Sequence, residues 1–170
     1  MQIKEDDLTG SDILELLYEH LCNMHELSPP ESVHALDLEQ LKRQDITFWT
    51  AWDNGVLMGF GALKELDPWH GEIKSMRTPS NRRRHGVGRL LLQHIIAVAQ
   101  QRGYRLLSLE TGSQPGFEPA RTLYESHGFT YTGPFAEYAE DPHSRFMQLR
   151  LSRGGPAVDK DADRLQQRLE

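Results

Sequence analysis

The chain has a single cysteine, Cys22. That excludes an intramolecular disulfide and any metal site built from several thiolates. It has no apolar run approaching the roughly 20 residues needed to span a bilayer. Its first ten residues, MQIKEDDLTG, lack the basic-then-apolar order of a secretion signal, so a cytoplasmic location is expected. Positive charge is in the minority: 19 Lys and Arg face 25 Asp and Glu, a net charge of −6. A general nucleic-acid binder is therefore not expected, and neither is a membrane partner. The eight histidines show no metal-ligand spacing such as H-E-x-x-H. No internal repeat is visible.

What is present is an ordinary globular composition, 38% hydrophobic and 26% charged over 170 residues. This length suits one domain with its own core. We expect that domain over residues 1–151. From Ser152 onward, SRGGPAVDKDADRLQQRLE carries almost no apolar residues, and we expect a polar tail, disordered or loosely helical.

Periodicity predicts the order of elements. LTGSDILELLYEHLCNMHEL reads as an amphipathic helix capped by Ser11 or Thr9, with Ile13, Leu14, Leu17, Leu21 and Met24 inward. SPPES breaks it, and SVHALDLEQLKRQ reads as a second short helix. ITFWTAW and VLMGFGALKEL read as strands joined by a DNG hairpin turn. EIKSMRT is a third strand, on which Glu72, Lys74 and Met76 should share one face. A helix from Val87 to Arg102 follows, with Leu90, Leu91, Ile95 and Val98 inward and Gly103 as its stop. YRLLSLET can then pair parallel to EIKSMRT through that helix. A helix near Glu118 to His127 and two closing strands complete the pattern. The fold class expected is mixed α/β: a mostly antiparallel twisted sheet with one central parallel strand-helix-strand crossover.

The densest chemistry lies at the mouth of the central helix. Three arginines and a histidine, Arg82 to His85, run into Gly86-Val87-Gly88. The first turn of a helix has backbone N–H groups without partners and a positive dipole end. Glycines let a ligand come close to those groups. With Arg82, Arg83, Arg84 and Arg89 alongside, this is an anion cradle suited to phosphate. A solvated loop before a helix is the competing reading. The Walker pattern is absent, because no Gly-Lys-Ser/Thr follows. The dinucleotide G-x-G-x-x-G is absent, because Leu91 stands at its last glycine.

Arg83-Arg84-His85-Gly86-Val87-Gly88, between a strand and a helix, resembles the Arg/Gln-x-x-Gly-x-Gly/Ala signature of the GNAT superfamily of acyl-CoA-dependent N-acetyltransferases. ARTLYESHGF, Ala120 to Phe129, is similar to a later helix of that family, and GEIKSMRTPS looks like its fourth strand. The resemblance covers about Ile46 to Leu151, in family order, and the segment SLETGSQPGFEPARTLYESHGF is also similar to a bacterial branch of the family, mostly of uncertain substrate. It implies acetyl-CoA as co-substrate and direct acetyl transfer to an amine. The pyrophosphate would be held by Arg83, Arg84, His85, Gly86, Val87, Gly88 and Arg89. The strand edge at Met76, Arg77 and Thr78 would pair with the pantetheine amides. Tyr124 matches the family tyrosine that supplies a proton to the leaving thiolate. Phe117 stands where many members have an asparagine that contacts the coenzyme. A homodimer is compatible with the resemblance.

An amine must be neutral to attack a thioester, so a base or a water path should remove its proton. Glu72 is the first candidate, on the strand leading to the cradle. Glu110, closing the LLSLE strand, is the second. A surface Glu72–Lys74 pair is the structural alternative for the first, and a loop cap for the second. His25, Glu26 and His34 flank the first helix break, and Tyr138 precedes the last strand; in this fold both regions wall the acceptor. Cys22 reads as a packing residue. The expected activity is N-acetylation of a small-molecule or amino-acid-like primary amine. The competing class is an acyl-CoA-binding sensor without turnover. A nucleotide-phosphate enzyme lacks both the Walker lysine and a magnesium carboxylate pair.

Overall fold

Two consecutive left-handed residues set the first hairpin. In the computed structural model, which describes residues 1–78 and 86–152, Asn54 and Gly55 have φ of 48° and 77°. Successive positive φ values match the right-handed twist of the strands they join. Those strands are β2 (Ile46–Asp53) and β3 (Val56–Asp67). β4 (His70–Arg77) lies antiparallel to β3, and β5 (Leu106–Gly112) lies parallel to β4. The helix α3 (Val87–Gln101) makes the crossover between them. β6 (Thr130–Thr132) and β7 (Ser144–Arg150) close one side, and β1 (Gln2–Glu5) pairs with β2 at the other. The order is β1-β2-β3-β4-β5-β7-β6, and β4 with β5 is its parallel pair. The mixed sheet with a central crossover is the architecture expected from the sequence, apart from β1, which is too short and polar to announce itself.

The sheet carries a core on each face. On one, α3 buries Val87, Leu91, Leu92, Ile95 and Ala99 against Leu63, Ile73, Leu107, Leu109 and Met147. Each large aliphatic side chain so buried contributes about 2 kcal/mol. The short helix α4 (Glu118–Ser126) joins this side through Tyr124. On the other face, α1 (Ser11–Leu27) sets Ile13, Leu16 and Leu17 over Phe48, Phe60 and Ala62. Among the described residues, no helix is long and apolar enough to cross a membrane.

Local expectations fail where tertiary contacts decide. α1 is capped by Gly10 with no side-chain bond, because Thr9 gives its hydroxyl to Asp7. Leu14 is exposed, and His20 takes a buried place on that helix. The second helix shrinks to α2 (Leu38–Leu41), opened by a capping box between Asp37 and Gln40. Leu90 is also exposed, its inward place filled by Leu92. Glu72, Lys74 and Met76 do not share a face. Lys74 reaches His34 and Tyr138, whereas Met76 packs into the α3 core. The cause is a β-bulge at Ser75. The tail expected beyond Ser152 lies outside the described residues.

Candidate functional site

β4 pairs with β5 from His70↔Leu106 to Ile73↔Leu109, and there the pairing stops. Both strands run on, to Arg77 and Gly112. Past Ile73, β4 is held by β3 alone. The separation begins at the bulge. Ala62 pairs with Lys74 and Phe60 with Arg77, so one step of two residues on β3 faces three on β4. Ser75 is the extra residue, with φ of 53°. A bulge bends its strand and sharpens the local twist. It also resets the alternation of faces, which sends Met76 toward α3 and Arg77 toward α1.

A cavity of about 740 Å³ opens at this splay. The mouth of α3 forms one end of it. Gly86 caps the helix with φ of 75°, and the first intrahelical bond is Leu90 N–H to the Gly86 carbonyl. The N–H groups of Val87, Gly88 and Arg89 precede that bond, so the intrahelical ladder does not use them. Among the described residues, nothing lies within 4 Å of the place a Cβ on Gly86 would occupy. Positive dipole end, free donors and open space suit an anion such as a pyrophosphate. Arg83, Arg84 and His85 fall outside the described residues. Gly86, Val87, Gly88, Arg89, Met76, Arg77 and Thr78 all line the cavity. The Arg77 guanidinium itself points away from the cradle, bonded to Asn23 at 2.8 Å and Glu19 at 2.9 Å on α1.

The three catalytic candidates line the same cavity. Tyr124 is buried, and its hydroxyl lies 3.9 Å from the Met76 sulfur. Desolvation, then the charge of Glu110, pushes this phenol up to about 12. Glu110 sits at the open end of β5, its carboxyl pushed up to about 7. Burial is the main cause and the negative charges of Glu72 and Asp141 add to it, while Ser144 and Lys74 pull the other way. Glu72 is 2% exposed. It accepts a hydrogen bond from the Tyr138 hydroxyl at 2.6 Å and pairs with Lys74 at 3.3 Å. The pair is therefore buried, unlike the surface pair that the sequence allowed. Burial first, and then Glu72, holds the Tyr138 phenol well above its ordinary range.

Tyr138 joins the loop 133–143 to β4 and to His34 at the cavity wall. Its hydroxyl also accepts from Lys74 at 2.7 Å, and its ring meets the His34 ring edge-on at 5.0 Å. Asp141 accepts the Ser32 hydroxyl at 2.6 Å, which ties residues 133–143 to the turn after α1. Nothing local in the sequence marks this role, because Tyr138 and Glu72 are 66 residues apart. His20 lines the cavity too, neutral at ordinary pH, since burial and then Arg77 lower it to about 4. Phe117 lines it as well, at the start of α4, where its ring presses on Gly112. His25 and Cys22 do not line it. Among the described residues, no cluster of His, Cys, Asp or Glu could hold a metal ion.

Known proteins resemble this chain in sequence and in fold. The model of the acetyltransferase (GNAT) family matches residues 14–129. The uncharacterized N-acetyltransferase YsnE of Bacillus subtilis is 60% identical over 151 residues, 89% of this chain and 100% of that protein. The uncharacterized N-acetyltransferase YedL of Escherichia coli is 52% identical, covering 88% of this chain and 94% of its own. A solved GNAT family acetyltransferase from Elizabethkingia anophelis, with acetyl-CoA bound, shares the fold. Its TM-score is 0.64 at 19% identity, with 88% of this chain and 97% of that one covered.

Proposed function

This chain belongs to the GNAT family of acetyltransferases, and on that premise we propose that it moves acetyl from acetyl-CoA directly to a primary amine of a small molecule, with Glu110 as base and Tyr124 as acid. The enzyme is acyl-CoA-dependent, and acetyl-CoA is its co-substrate. Residues 1–151 are the catalytic unit in this reading. The splayed end of β4, at Met76, Arg77 and Thr78, offers its free backbone edge to the pantetheine amides. The N–H groups of Val87, Gly88 and Arg89 take the pyrophosphate.

The observation that carries this reading is that Glu110 and Tyr124 line one cavity with protonation ranges far apart, one near neutrality and one well above it. When bound, acetyl-CoA supplies a thioester-activated acyl group. Glu110, ionised above about pH 7, takes a proton from the acceptor ammonium, leaving the nitrogen lone pair free. A base that titrates near the working pH is the most effective one. Tyr124 keeps its proton until about pH 12 and can give it toward the departing sulfur as the C–S bond breaks; the second proton lost by the acylated nitrogen restores the phenol. The order of the glutamates reverses the one expected from sequence. Glu72 already accepts from Tyr138 and neutralises Lys74, so its part is to hold the acceptor wall together.

The test is the pH profile of kcat/KM, read by free thiol. In the wild type its ascending limb should lie near pH 7. Glu110→Gln should remove that limb, and Glu72→Gln should keep it while raising KM. A limb that vanishes in Glu72→Gln and persists in Glu110→Gln assigns the base to Glu72 instead.

A further inference from the structure

Five charged side chains among the described residues line the cavity: Glu72, Lys74, Arg77, Arg89 and Glu110. Three of them are already paired, and a fourth, Arg89, stands at the coenzyme end of the cavity. Lys74 has its three donor directions directed at Tyr138, the His34 carbonyl and Glu72, at 2.7, 3.3 and 3.3 Å. Glu72 is the other half of that pair. Arg77 spends both terminal nitrogens on Asn23 and Glu19. Arg89 belongs to the first turn of α3, beside the anion cradle. Glu110 remains, with no ion pair among the described residues.

Among the described residues, the rest of the lining on this side carries no net charge, and Asp141, bonded to Ser32, is not part of the lining. Met24 and Leu27 of α1, Val33, Ala35, Phe117 and Tyr138 present carbon surface. His20 stays neutral at ordinary pH, and burial first, then Lys74, also lowers His34.

Resting on the N-acetyltransferase reading, we infer that the acceptor is a primary monoamine whose remaining body is uncharged and largely apolar. One carboxylate matches one ammonium. A second ammonium, as in a diamine, would enter a lining of carbon surface and neutral polar groups that, among the described residues, offers no second unpaired carboxylate. A carboxylate, as in an amino acid, would stand near Glu110; among the described residues the one cation of the lining not paired to another side chain is Arg89, which this reading gives to the pyrophosphate. A desolvated charge without a partner is strongly disfavoured. The pocket therefore selects against both by what it leaves unpaired.

Two matched pairs test this with the full chain and saturating acetyl-CoA, read as kcat/KM at about pH 8. Phenethylamine should exceed phenylalanine, and butylamine should exceed putrescine, each by at least about tenfold. Equal or better turnover of phenylalanine or putrescine overturns the inference and leaves the acetyltransferase reading standing. No acetylation of any of the four, by a chain that binds acetyl-CoA, refutes the acetyltransferase reading and the inference with it. Lys74→Gln, checked for folding by circular dichroism, supplies the converse. It frees the Glu72 charge, so the putrescine-to-butylamine ratio should rise by at least about tenfold. An unchanged ratio in the folded variant overturns the charge argument.

Discussion

Replacing Glu110 by glutamine should stabilise the fold at alkaline pH and do little in acid. The Glu110 carboxyl is pushed from 4.5 up to about 7, mainly by burial. A group raised in this direction holds its proton in the folded state while the unfolded chain ionises. Stability is therefore lost as pH rises from 4.5 through 7, and it is constant above that. Each pH unit that separates the folded from the unfolded titration is worth about 1.4 kcal/mol. The wild-type penalty is then about 1 kcal/mol near pH 5 and about 3 kcal/mol near pH 8. Glutamine keeps the shape and has no charge to lose. The variant should thus gain about 2 kcal/mol over the wild type between those two conditions. Every other titrating group is common to both chains and cancels in the difference. The assay is urea unfolding of both proteins at both pH values, followed by circular dichroism. This gain is a sizeable part of the roughly 5–15 kcal/mol typical of a domain. A stability difference that does not change with pH would refute the idea that burial holds this carboxyl protonated. A catalytic loss in the same variant would join the two effects in one side chain, a common compromise at active sites.

Three further outcomes follow from the geometry. Gly86→Glu should abolish acetyl-CoA binding in calorimetric titration, because it sets a negative side chain at the cradle where φ is 75°. The positive φ costs the variant about 1 kcal/mol of strain, but it should still fold, since among the described residues nothing lies within 4 Å of the new Cβ; normal affinity would reject the cradle. Tyr124→Phe should lower kcat by about a hundredfold with acetyl-CoA affinity kept, measured by thiol release and titration; unchanged kcat would leave Tyr124 a packing residue. Gly59→Ala should cost about 2 kcal/mol in urea unfolding. Its Cβ would stand 2.7 Å from the Arg77 carbonyl and 3.1 Å from a Val87 methyl, so it should also weaken acetyl-CoA binding by moving the end of β4.

The first hairpin and the helix α3 were legible because their signals are local. The DNG turn needs two left-handed residues, and it has them. Glycines and arginines next to an apolar helical period mark the α3 mouth within a short stretch of chain. The pairings around Glu72 were not legible, because long-range contacts make them. Nothing near Glu72 predicts a tyrosine that arrives from 66 residues away, and without Tyr138 the Glu72–Lys74 pair reads as a surface pair. The Ser75 bulge was invisible as well. Strict alternation places Met76 beside Glu72, and one extra residue overrules it. The helix cap failed for a similar reason: Thr9 has a nearer partner in Asp7.

The cleft is written into the backbone, while its acceptor wall is written into side chains. A single bulge and the end of a strand pairing set the opening, and neither depends on which side chains face the cavity. The wall comes from two surface loops fastened by few bonds, chiefly Ser32 to Asp141 and Tyr138 to Glu72. Such an arrangement divides the labour of descent. Lineages can rewrite the loops and change the amine they accept without disturbing how the coenzyme is held. Relatives with the same strand geometry and different residues at positions 28–37 and 133–143 should then share a donor and differ in their acceptors.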